Sequence, residues 1–299
     1  MEKVVVILGA TCTGKSKIGL SLAKKFNGEI ISADSVQIFK EFDIGSAKIT
    51  KEEMDGVVHY GIDEISPDKE FSVFDYASWT KEKIKEIAAK GKLPIIVGGT
   101  GLYVKALCEG YNFGGTEKHA EFRQNLEKEI DENGIESVYQ KLVKLNPEMA
   151  QSIDKNNKVR VIRAFEIAKF GEVQTKSKPE FDFKIFALVQ DREKLYQKIN
   201  LRVDQMVDSG LKEEVENLYK KYGLVQPMRA IGYKELIPYI KGEDSFENCV
   251  NLIKQHTRNY AKRQMTFLRS MKDVNFVDIE NFDSAFENIT EKINLFITK

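Results

Sequence analysis

Apolar and polar positions follow two periods along this chain. From Lys3 to Leu8 the residues are continuously apolar and mostly β-branched, the pattern of a strand buried on both faces. After a glycine-bearing turn the period changes. Over Lys15 to Phe26, Ile18, Leu20, Leu22 and Ala23 mark the apolar face of a helix. Glu29 to Ser32 predicts a second short strand. Phe74 to Lys90 predicts a helix, with Tyr76, Ala77, Ile84, Ile87 and Ala88 toward one side and Gly91 as its stop. "LPIIVGGTGLY" then supplies a third buried strand and a second glycine turn. Such alternation predicts an α/β protein, a parallel sheet with helices on both faces.

From about Gly115 the texture changes. Glu117 to Lys144 and Pro147 to Lys169 read as charged and helical, and the strand pattern returns only at Phe183 to Val189. The simplest organisation is a core over 1–114 and 183–299, interrupted by a helical insertion domain at 115–182. Helices dominate to about Met271, and Val274 to Ile279 predicts a last short strand. There is no internal repeat and no low-complexity tract.

Composition narrows the classes. The 299 residues are 42% hydrophobic and 31% charged, and can bury a sizeable core. Net charge is zero, so binding to nucleic acid must come from a local patch. Cys12, Cys108 and Cys249 are single and widely spaced, which suggests neither disulfides nor a zinc site and fits a reducing cytoplasm. No apolar run reaches membrane-spanning length and no signal peptide is visible, so a cytoplasmic protein is expected.

Between the first strand and the first helix lies "GATCTGKS": Gly9, Ala10, Thr11, Cys12, Thr13, Gly14, Lys15 and Ser16. This is a phosphate loop. Its backbone N–H groups and the helix N-terminus converge on an anion, Lys15 adds a point charge, and the Ser16 hydroxyl can hold Mg²⁺. The expected fold is therefore a P-loop NTPase-like parallel sheet flanked by helices. The loop does not choose the chemistry: its cargo could be a nucleotide, a transferred phosphoryl group or a departing pyrophosphate.

Two further strand ends carry polar groups. "ISADSVQIFK" places Asp34, Ser35, Val36 and Gln37 just past the second strand, where ligands bind in open parallel sheets. Asp34 is open to three readings: magnesium ligand, general base, or cap of a helix starting near Ser35. The third strand ends in Gly98, Gly99, Thr100 and Gly101, where glycines allow close backbone approach and Thr100 alone offers a hydrogen-bonding side chain.

Together these segments resemble the tRNA dimethylallyltransferases (tRNA isopentenyltransferases). "DSVQIFK" matches a family block, with Phe39 where Tyr is usual. "FDIGSAKIT", "HYGIDEISP", "GGTGLYVKAL", "MRAIGYKEL" and "TRNYAKRQMTFLR" follow in family order over nearly the whole chain. The chain ends soon after the last block, without the zinc-finger extension of eukaryotic members, and looks bacterial in type. The resemblance implies that the loop grips the pyrophosphate of dimethylallyl diphosphate. The five-carbon group is then passed to N6 of the adenosine just 3′ of a tRNA anticodon. It implies Lys15, Mg²⁺ held through Ser16, and Arg229 on the leaving group, Asp34 as the base toward the amine, and Thr100 where the substrates meet. His59 lies in a family block but reads equally as structural.

For the anticodon stem-loop, the resemblance implies contacts from Asp34, Ser35, Val36, Gln37, Thr100, Arg123 and the segment Val159, Arg160, Val161, Ile162 and Arg163. Val159 stands where Gln is frequent, which puts one polar contact in doubt. "KQHTRNYAKRQMTFLRSMK" adds basic residues (Lys254, Arg258, Lys262, Arg263, Arg269 and Lys272) and an apolar stripe of Ile253, Tyr260, Phe267 and Met271. A monomer is expected. Two enzyme alternatives are a small-molecule P-loop kinase and an adenylate isopentenyltransferase acting on free AMP or ATP. A non-catalytic RNA-binding module is the third alternative, and would leave the phosphate loop without a task.

Overall fold

The computed structural model of the chain describes residues 1–112, 119–171, 175–176 and 178–298. Gly115 and Glu117, where the helical insertion and its first helix were expected to begin, lie outside the described residues. The chain divides into two compact units, Met1–Cys108 with Pro179–Lys299, and Glu109–Lys178.

The first unit is an α/β layer structure. Its strands are β1 (Lys3–Gly9), β2 (Gly28–Ala33), β3 (His59–Tyr60) and β4 (Leu93–Gly98), and later β7 (Asp182–Val189) and β8 (Val274–Asp278). They form one sheet in the order β3-β2-β4-β1-β7-β8, with every pairing parallel. Val4 to Leu8 have no exposed surface, because β1 is central and both its faces are covered. One side of the sheet packs through Val5, Ile7, Ile95 and Phe186 against Ile18 and Leu22 of α1 (Lys15–Lys25) and Ile289 and Ile293 of α12 (Phe282–Ile297). Helices α2 (Val73–Ala89), α3 (Gly101–Cys108), α8 (Arg192–Asp208), α9 (Leu211–Tyr222), α10 (Ile237–Ile240) and α11 (Phe246–Arg269) complete the unit. Among the described residues no helix is long and apolar enough to cross a membrane.

Strand β3 was not anticipated. It is only two residues long and exists through pairing of His59 and Tyr60 with Ile30 and Ile31. No helix starts at Ser35 either. The Asp34 carboxylate accepts the N–H groups of Val36 and Gln37 at 2.9 and 3.2 Å, but the segment is a turn.

Among the described residues the second unit holds the short antiparallel pair β5 (Tyr111–Asn112) and β6 (Thr175–Lys176), and four helices. The two long helices expected there are divided. Gly134, at φ 79°, separates α4 (Ala120–Asn133) from α5 (Ile135–Leu145). Asn146 caps α6 (Pro147–Gln151) and Asn157 caps α7 (Lys158–Phe170), each side chain accepting a backbone N–H of the first turn. Leu126, Ile130, Val138, Val161 and Ile162 form this unit's core.

Candidate active site

The C-terminal ends of β1, β2 and β4 bring the loops after Gly9, Ala33 and Gly98 to one edge of the sheet, because parallel strands end together. The close approach is enforced at Gly98, where a Cβ would lie 2.2 Å from the Ala33 carbonyl oxygen. At the loop's exit Gly14 takes φ 81°, a left-handed conformation suited to glycine, and starts α1 without a side-chain cap. The first turn of α1 carries no acidic residue. Its N–H groups therefore keep their positive field for an anion.

Lys15 is half-buried where the loop enters α1, its Nζ donating to the Ala10 carbonyl at 2.7 Å. Burial, and then the charge of Arg202, bring its pKa down to about 8. Arg202 projects from α8, its Nη1 donating to Cys12 Sγ at 3.7 Å. Arg202 lines three openings and Lys15 two of them. One of about 120 Å³ is lined by Lys15, Ser16, Asp34, Gln37, His59 and Arg202. A second of about 340 Å³ takes in Asp34, Arg202, Arg229, Tyr260 and Arg263. A third of about 930 Å³ opens over Gly14, Lys15, Ser16, Lys17, Lys198 and Arg202.

Asp34 faces the first two cavities. Both backbone hydrogen bonds fall on its Oδ1, which fixes the carboxylate and leaves Oδ2 available to a ligand. Gln37 donates through Nε2 to the carbonyls of Ser46 and Ala47, both at 3.1 Å, and so holds the loop that walls the site. From the other side the Glu214 carboxylate accepts the N–H groups of Asp43, Ile44 and Gly45 and the Tyr233 hydroxyl. Thr100 bonds through its N–H to the Ala33 carbonyl at 3.0 Å, and its side chain reaches Tyr260. Burial, and then the nearby Asp34 charge, push the Tyr260 phenol up to about 12, so it remains a hydrogen-bond donor at neutral pH. His59 lines the smallest cavity with Nδ1 2.9 Å from the Val57 carbonyl, and burial lowers its pKa. Burial thus disfavours the charged ring, and an Nδ1–H facing that carbonyl is the donor.

Two residues of this site were not singled out in the sequence. Arg202 lies in a charged helical stretch with no motif around it. Gln264 of α11 is 7% exposed; its Oε1 accepts Thr11 N–H at 3.0 Å and its Nε2 donates to Gly99 O at 2.9 Å. It ties the phosphate loop to the β4 turn. A polar residue at a helical core position was its only signal. The buried face of α11 is Cys249, Ile253, Ala261, Gln264 and Leu268, while Tyr260 and Phe267 of the expected stripe are only half-buried.

The basic residues noted for RNA lie in the second unit. Arg123 and Arg163 both bond Glu166, which is fully buried. Arg160 is exposed and Val159 is 75% exposed. Val161 and Ile162 are core residues at 0 and 5% exposure, so the surface of the 159–163 segment is Val159, Arg160 and Arg163.

Among the described residues no three His, Cys, Asp or Glu side chains cluster to cage a metal ion. The site suits instead a divalent ion brought on phosphate oxygens, toward which a phosphate loop offers a single hydroxyl. Ser16, lining two of the cavities beside Lys15, is placed for that.

An anion cradle with two buried or half-buried cations, opening on a fixed carboxylate at the edge of a parallel sheet, defines a phosphate-loop α/β enzyme. The comparisons narrow the class. A family model described as IPP transferase matches residues 37–271. A tRNA dimethylallyltransferase of an Exiguobacterium species is 46% identical over 302 residues, covering 99% of this chain and 97% of that one. One from Bacillus anthracis is 45% identical over 295 residues, covering 96% and 94%. Among solved structures, a full-length tRNA isopentenylpyrophosphate transferase of Bacillus halodurans superposes with TM-score 0.76 at 40% identity, covering 98% of this chain and 96% of that one. A eukaryotic dimethylallyltransferase acting on tRNA gives TM-score 0.82 at 29% identity, covering 100% and 80%. The chain belongs to the tRNA dimethylallyltransferase family.

Proposed function

We propose that this enzyme transfers the dimethylallyl group of dimethylallyl diphosphate to N6 of the adenosine 3′-adjacent to the anticodon of tRNA, releasing pyrophosphate. The observation that carries this reading is the shared cavity in which the cations Lys15 and Arg202 meet the carboxylate of Asp34. Breaking the allylic C–O bond leaves negative charge on the diphosphate. The loop amides other than those of Thr11 and Thr13, with the half-buried Lys15 and Arg202, are donors for that charge, effective because they are already oriented and partly desolvated, and the exposed Arg229 adds a cation at the neighbouring cavity. The Ser16 hydroxyl would help to hold a Mg²⁺ ion, which would supply further charge neutralisation there.

The adenine amine is a weak nucleophile, since its lone pair is delocalised into the ring. As N6 bonds to the allylic carbon, Asp34 takes the N6 proton, worth about 10²–10⁴-fold. Its Oδ1 is already occupied by two N–H groups, so Oδ2 is the accepting atom. Thr100, oriented through Tyr260, holds the acceptor base. Ser35, Val36 and Gln37 continue that contact, and the second unit presents Arg123, Val159, Arg160 and Arg163 to the RNA. A target base in a loop is cheaply unstacked into such a pocket.

Incubation with labelled dimethylallyl diphosphate and tRNA, AMP or no acceptor tests the reading. Label is expected in tRNA at the anticodon-adjacent adenosine. Label in AMP alone would establish the free-adenylate alternative, and transfer of phosphate from ATP would establish the kinase.

A further inference from the structure

We propose that Glu214 is a positioning residue for the transfer step: its carboxylate gathers three consecutive backbone N–H groups of the 43–49 loop and, through that loop and Gln37, holds the Asp34 carboxylate in place. This rests on the reading that Asp34 is the base. Glu214 stands on α9 and is not among the residues lining the three cavities, so it reaches the chemistry only through what it holds. Among the described residues four donors meet this carboxylate. Oε2 accepts the N–H groups of Asp43 at 3.2 Å and Ile44 at 2.7 Å. Oε1 accepts the Gly45 N–H at 3.0 Å and the Tyr233 hydroxyl at 2.8 Å.

From the loop the contacts run on into the site. The Ser46 and Ala47 carbonyls accept Gln37 Nε2, both at 3.1 Å, and the Gln37 N–H donates to Asp34 Oδ1 at 3.2 Å. Ala47 and Arg202 each line all three cavities. The loop is therefore a wall of the space in which the cations and Asp34 meet.

Two physical points favour this role over a simple tie between α9 and the rest of the unit. Leu211, Val215 and Leu218 are buried, so α9 already has an apolar face to hold it. The loop, by contrast, carries strain. Ala47 sits at φ 49°, a left-handed conformation that a side chain disfavours, and such a residue persists only where its surroundings over-determine it. Three successive N–H groups turned to one side make a concave site for an anion, and Glu214 supplies that anion from within the chain.

E214Q separates position from charge. Removing a negative charge beside an anion site should, by charge alone, favour the diphosphate and speed its departure. Turning one acceptor oxygen into an N–H donor should leave part of the loop's N–H row unpaired and slow transfer. The expected result is a single-turnover rate lowered about 10- to 100-fold, since displacing reacting groups by about 1 Å costs that much. Affinity for inorganic pyrophosphate should stay within about threefold, since Lys15 and Arg202 share no hydrogen-bond partner with Glu214 among the described residues. In a D34N background, E214Q should lower the rate by no more than about twofold further, since it acts through Asp34.

E214D, which keeps the charge but draws the carboxylate back by one methylene, serves if E214Q does not fold; circular dichroism and a thermal melt report folding in either. A folded variant that transfers at or above the wild-type rate overturns the inference. So does an undiminished effect in D34N, which would mark damage that bypasses Asp34. Loss of pyrophosphate binding in a folded variant also overturns it, as distortion of the whole site. D34N alone is measured alongside, with tRNA or AMP as acceptor, whichever wild type uses. If D34N alone transfers at the wild-type rate, the reading of Asp34 as base fails and this inference with it. If D34N is slow and E214Q is not, only the inference about Glu214 fails.

Discussion

Replacing Lys15 by Met should stabilise the ligand-free protein while removing its chemistry. The Lys15 pKa is about 8 in the folded protein against 10.5 for an ordinary lysine, through burial and then the Arg202 charge. Between those values the unfolded chain binds more protons than the folded one, so this group opposes folding most below pH 8. The opposition fades as pH rises toward 10.5. The shift corresponds to about 3 kcal/mol at pH 7 and about 2 kcal/mol at pH 9. A Met at this half-buried position fills similar space without the charge, though it gives up the Ala10 hydrogen bond, so a gain of about 1–2 kcal/mol at pH 7 is expected. Trp79 of α2, the single tryptophan, reports unfolding of the unit that holds Lys15. Urea melts of wild type and K15M followed by its fluorescence should show the gap narrow by about 1 kcal/mol from pH 7 to pH 9. A constant gap across that range, or a K15M protein less stable than wild type at pH 7, would refute the reasoning. The same variant should lose pyrophosphate binding, since the charge unfavourable to folding is the one the anion uses.

Asp34→Asn keeps the shape and the Oδ1 acceptor but cannot take a proton, so single-turnover transfer should fall about 10²–10⁴-fold with little change in diphosphate affinity. A fall in magnesium affinity alone would make Asp34 a metal ligand. Arg202→Ala should reduce kcat/KM for dimethylallyl diphosphate on the order of 10²-fold, as loss of a leaving-group cation does; a change under threefold would exclude Arg202 from the reaction. EDTA should stop transfer and added Mg²⁺ restore it, and full activity in chelator would take the ion out of the mechanism.

Local pattern determined much of this protein. Largely apolar runs marked the strands β1, β4 and β7, because a strand covered on both faces is apolar at most positions; β2, which buries Glu29 and Ser32, was legible only as a short strand ahead of the Asp34 turn. The phosphate loop was legible for a similar reason. Its glycines, lysine and serine act within one turn of backbone, so their spacing is their geometry. Asp34 and Thr100 could be placed at the same sheet edge because parallel strands end together.

Tertiary structure alone decided the rest. Arg202 and Cys12 are 190 residues apart, and Gln264 and Thr11 are 253 apart. Helical periodicity says which face a residue occupies, not which loop another helix will bring to it. Strand β3 likewise has no pattern of its own, being two residues recruited by β2. Glu166 reads in sequence as one of many solvated glutamates on a charged helix. Only the packing of α4 on α7 removes it from water, and a carboxylate removed from water must be paired, which is why two arginines meet there.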